Sequence, residues 1–112
     1  MDYTGIIIAL AWIVLDVVCG TIRAAKTHQL DSSKMRDGLF HKIGYILCMG
    51  MGVGIDYTME YMNIGFDIPV LEGICVMVVL TEIISVAENI MILNPELADW
   101  GIFKSIKSRD EK

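Results

Sequence analysis

Basic residues are scarce in this chain, and most of its length has none. Its 112 residues carry nine Lys and Arg against fourteen Asp and Glu, a net charge of −5. Phosphate contacts dominate nucleic-acid affinity, so a chain this poor in bases is not expected to bind nucleic acid. Cysteine is rare as well. Cys19, Cys48 and Cys75 lie too far apart for a zinc pattern or a disulfide framework, and one falls in each apolar segment, where each reads as a small packing residue. His28 and His41 lack metal-ligand spacing. The chain has no phosphate-binding loop and no nucleophile beside a base, which leaves no basis for an enzyme, a metal or a cofactor. No basic region precedes the first apolar run, which argues against a cleaved signal peptide. Cys19 follows Val17-Val18 rather than a small residue, which argues against lipidation.

Apolar sequence is what the chain has in quantity. Hydrophobic residues make up 54% of it and the mean hydropathy is +0.56, too apolar for an ordinary soluble domain of this size. The first apolar segment, 5–22, interrupted by a charge only at Asp16, covers about 27 Å as a helix, enough to cross the hydrocarbon core. The second is shorter, uncharged only over 43–55, but a helix over 39–57 suffices if His41 and Lys42 reach the interface. The third is bounded by Pro69, tolerated in a first helical turn with Asp67 as a plausible cap, and by Asn94-Pro95, which ends it. The predicted architecture is an all-α integral membrane protein forming one domain over 1–112. Its three transmembrane helices cover about 4–23, 39–57 and 69–93, separated by a loop at 24–38 and followed by a tail at 94–112.

The nine bases fall in two stretches. Arg23, Lys26, Lys34, Arg36 and Lys42 lie in one, and Lys104, Lys107, Arg109 and Lys112 in the other. Loops on the cytoplasmic side collect Lys and Arg. Three spans put both stretches on that side, with the N-terminus and the turn around Asp56, Glu60 and Asp67 outside. Two spans, with the second segment lying flat, would separate them, so the charge pattern supports the weakest span. Tyr3, Tyr57 and Tyr61 then fall at the outer interface, and Trp100 and Phe103 at the inner one. Asp31 or Ser32 can cap a short helix entering the second span. Leu97, Trp100, Phe103 and Ile106 are spaced three apart beside Lys104 and Lys107, which predicts a short amphipathic interfacial helix over 97–107, with a frayed tail as the alternative.

Acidic residues inside the spans are the candidate functional groups, because a central charge costs about 2.5–3.5 kcal/mol in lipid. In helical projection Thr81, Glu82, Ser85, Glu88 and Asn89 share one sector, continued earlier in the helix by Leu71, Ile74 and Val78. This half-length polar stripe is either a pore-lining or subunit-contact surface, or a buried contact whose groups satisfy one another. Glu72 sits near the helix N-terminus and needs no special role. On the first span Gly5, Ala9, Trp12, Asp16, Gly20 and Arg23 project together, and Arg23, Lys42 and His41 are the candidate partners of Asp16. Gly44, Cys48 and Gly52, with Gly50 and Gly54, give the second span small residues suited to close helix contacts.

The order of these features resembles the toxin-secretion and phage-lysis holins of Gram-positive phages and prophages. Asp16, Gly20, Arg23 and Ala24 match the first span of that family. Ser32-Ser33, Gly38 and a reduced basic pair, His41-Lys42, match its loop and the opening of its second span, and Asp56 closes that span. Ser85, Glu88 and Asn89 match the end of its third span, and Pro95 and Trp100 match the segment beyond it. The resemblance implies a homo-oligomer in the host cytoplasmic membrane that opens lesions for an endolysin, or releases a toxin, with the endolysin a functional partner that need not touch it. Two other classes stay open: a small ion-channel or transporter subunit using the intramembrane carboxylates, and an antiholin or membrane scaffold.

Overall fold

The computed structural model describes residues 3–65 and 67–110, with the side chains of Ile102 and of residues 107–110 outside the description. Helix α1 runs Thr4–Lys26, α2 runs Ser32–Tyr61 and α3 runs Val70–Leu93. A 3-10 turn at Pro95–Asp99 leads into a short helix, α4, at Gly101–Asp110. All three long helices have the length and apolarity to cross a membrane. Their 23, 30 and 24 residues correspond to about 35, 45 and 36 Å of helix.

The chain runs up, down and up. The α1 and α3 C-termini meet: Lys26 Nζ donates to the carbonyls of Ile92 at 3.2 Å and Leu93 at 2.9 Å, two acceptors left open by the end of α3. The α1 N-terminus meets the α2 C-terminus, where the Tyr3 and Tyr57 hydroxyls lie 2.9 Å apart and Tyr57 stacks on Tyr61 at 5.8 Å. The loop after α1 and the segment after α3 therefore share one end of the bundle. All three helices stand side by side, with α2 packed along the other two. α3 packs closely against α1 and less extensively against α2, while α1 and α2 touch least. Ala9, Ile13, Met49, Leu71, Cys75 and Val78 form the core where the three meet.

Local chemistry moves several boundaries. α1 ends in a left-handed residue, His28 with φ of 56°, and Gln29 N–H bonds the Ala24 carbonyl at 2.8 Å, a helix stop usually built on glycine. Asp31 caps α2, accepting from Ser33 N–H at 2.9 Å, and the helix it starts runs unbroken into the second span rather than forming a separate short helix. The third helix has a different cap from the one expected. Asp67 does not serve it; Asp56 does, from α2, accepting from Val70 N–H at 3.1 Å and Leu71 N–H at 3.3 Å. At the C-terminus the helix expected over 97–107 begins only at Gly101, because Trp100 takes an extended conformation that ends the 3-10 turn.

Candidate functional site

Two of the intramembrane carboxylates converge. Asp16 on α1 and Glu82 on α3 are both buried, at 6% and 1% exposure, in a chain whose large apolar side chains are widely exposed. Between them lies the ammonium of Lys42 from α2, paired with Asp16 Oδ2 and, at 2.7 Å, with Glu82 Oε2. The other Asp16 oxygen accepts from Ser85 Oγ at 2.8 Å and Asn89 Nδ2 at 3.1 Å. Arg23 extends the chain of contacts, donating to Asn89 Oδ1 at 3.1 Å. Among the described residues no buried side-chain nitrogen or oxygen lacks a partner.

Helix spacing produces this convergence. Glu82, Ser85 and Asn89 fall three and four residues apart on α3, so they line one face. Asp16 and Arg23 are seven apart on α1, two turns along the face packed against it. That face is made narrow by small residues: Ala9 is fully buried, a Cβ at Gly5 would touch Cys75 at 3.4 Å, and one at Gly20 would lie 3.7 Å from Asn89 Nδ2. The helices approach closely enough for a short Asp to reach Ser85 and Asn89.

The network forms the floor of a cleft of about 560 Å³. α1 contributes Asp16, Gly20 and Arg23 to it, α3 contributes Thr81, Glu82, Ser85 and Asn89, and the first half of α2 contributes Gly38 and Lys42. The cleft lies at the end of the bundle that carries the first basic stretch.

The structure divides the expected site residues. Glu82, Ser85 and Asn89 of the stripe turn inward and engage Asp16 or Lys42, whereas Thr81 is exposed and bonds its own helix at the Met77 carbonyl, 2.9 Å away. Glu88 is half-buried and does not line the cleft. Of the three candidate partners of Asp16, Lys42 pairs with it directly and Arg23 reaches it through Asn89. His41 is exposed and lies edge-on to Tyr45 at 6.2 Å. Gly52 is a close contact, since a Cβ there would fall 3.1 Å from the Leu71 Cα. Gly38, Gly44, Gly50 and Gly54 meet nothing within 4 Å in the single chain. Trp100 and Lys104 are exposed and Phe103 is half-buried, while the side chain of Lys107 lies outside the described residues. The sequence makes Lys42 one of four candidate counter-charges, with Arg23, Lys104 and Lys107, and the structure selects it for both Asp16 and Glu82; that Asp56 caps α3 has no sequence signal. Contacts across helices leave no spacing signal.

Three apolar helices around an inward charge cluster describe a membrane protein. Residues 2–100 match the bacteriophage holin family. The chain belongs to that family. This holin is therefore a multi-pass protein of the cytoplasmic membrane, from a family of membrane proteins rather than enzymes. No curated protein and no solved structure matches it.

Proposed function

We propose that this holin oligomerises in the host cytoplasmic membrane and opens lesions that let an endolysin, or a secreted toxin, cross it. The N-terminus then lies outside and the two basic stretches inside, in keeping with the preference of cytoplasmic loops for Lys and Arg. The whole chain, 1–112, acts as one membrane domain. One observation carries the reading: a holin protomer that presents apolar surface to lipid holds Asp16, Lys42, Glu82, Ser85 and Asn89 inside, mutually satisfied. A protomer of this kind disperses in the bilayer with Asp16 and Glu82 kept away from lipid. Turned outward in an assembly, the same residues supply the polar wall a water-filled hole requires.

The cleft reaching Asp16 and Glu82 favours one second reading, a selective ion path through those carboxylates. Induction of the gene alone and together with an endolysin, with culture density followed over time, separates the two. Abrupt lysis only with both supports lesions that pass protein. Loss of membrane potential without endolysin-dependent lysis supports the ion path and removes the lesion reading.

A further inference from the structure

The two halves of α2 are held very differently. The second half is anchored at several points. Met49, Gly52 and Met59 are buried, Gly52 lies against Leu71 and Ile74, Asp56 caps α3, and Tyr57 meets Tyr3. The first half, 32–48, has no buried residue, and only Lys42, Tyr45 and Cys48 are even half-buried. It stands over the cleft of about 560 Å³ that separates it from α1 and α3. Its described side-chain bonds to the other two helices all come from one atom, Lys42 Nζ, with Tyr45 adding apolar contact to the core. By contrast, α1 and α3 are tied to each other by Ser85, Asn89, Arg23 and Lys26. Glycines at 50, 52 and 54 mark the junction between the two halves of α2, and glycine lowers helix stability where it occurs.

We propose that the first half of α2 is a hinged arm and that Lys42 is its latch, the positioning residue that keeps the holin in its closed form. The inference rests on the lesion reading above and adds the moving part. With Lys42 seated between Asp16 and Glu82, the cleft stays covered and the two carboxylates share a cation. With Lys42 withdrawn, two carboxylates face each other without their shared cation, and the stable outcome is entry of water as the arm swings from the α1–α3 pair. The break falls near Gly50, because from there on Gly52 and Asp56 fix the helix to α3.

Pulsed electron–electron resonance on the full chain in phospholipid bilayers tests this, with Cys19, Cys48 and Cys75 replaced by Ala. Spin labels at A24C and L39C flank the cleft, and labels at I7C and T58C report the opposite end. Lys42→Met is expected to shift the cleft pair to longer distances and leave the far pair unchanged, while Lys42→Arg keeps both at their original distances. Glu82→Gln, which retains the Lys42–Asp16 pair, gives a smaller shift in the same direction and decides the matter if Lys42→Met fails to insert. An unchanged cleft pair in Glu82→Gln and Lys42→Met overturns the latch, as does an equal shift at both ends, which marks general loosening. If the arm moves as described but induced cells holding endolysin do not lyse, the latch stands and the lesion reading falls.

Discussion

At Asp56 one carboxylate joins two helices. It sits in the last turns of α2 yet accepts the first free N–H groups of α3, where the helix dipole favours negative charge. Removing it leaves those donors unpaired in a partly buried position. Asp56→Ala is expected to cost about 1 kcal/mol, the usual loss for a helix cap, and to lower the thermal midpoint in detergent, with Asp56→Asn losing less. Equal midpoints for Asp56→Ala and the parent chain would show that the cap contributes nothing. Residues such as Asp56 also mark how far the sequence was legible. The acidic side chains stood out as costly inside a span, and the shared sector of Glu82, Ser85 and Asn89 came from helix geometry. Their partners did not. Asp16 has three candidate partners in Arg23, His41 and Lys42, and the choice of Lys42 depends on how α2 crosses the other helices. Asp67 had the right sequence position for a cap, but the backbone carries Asp56 to the α3 N-terminus instead.

Among elements, α2 is the one whose glycines differ most in their surroundings. Gly52 is pressed against the Leu71 backbone, so Gly52→Ala forces the α2–α3 contact apart and is expected to cost about 1–3 kcal/mol, as overpacking does. Gly44 meets nothing within 4 Å, so Gly44→Ala is expected to leave the monomer as stable or up to about 1 kcal/mol more so through helix propensity. Thermal denaturation of the two variants in detergent should order them Gly44→Ala above Gly52→Ala; the reverse order would place the α2–α3 contact elsewhere. Sequence spacing treated the two glycines alike because it records which residues share a face, not which face meets a neighbour. Helix extents show the same division. α1 and α3 match their apolar segments closely, whereas α2 starts at Ser32, well before its apolar run. Hydropathy reports the part of a helix that lipid can cover, and the Asp31 cap lets α2 extend beyond it. The tail shows the converse: regular apolar spacing across 97–107 suggested one helix, but an extended Trp100 divides it.

Across the whole molecule, charge is sorted by position. Apolar side chains cover much of the outside, and Asp16 and Glu82 turn inward onto Lys42. The charge pattern predicts both basic stretches at one end, and the paired C-termini of α1 and α3 bring the loop after α1 and the segment after α3 together there. Lysis by the proposed route depends on the inward cluster being the surface that later meets water. Replacing Asp16, Lys42 and Glu82 together by Leu removes that surface and leaves no charge stranded in the core. The decisive measurement is culture density over time in cells expressing this triple variant with an endolysin, at membrane levels matched to the parent protein. Continued growth is predicted, with the endolysin retained in the cytoplasm. Abrupt lysis at the parent's time would contradict the proposed role of the cluster.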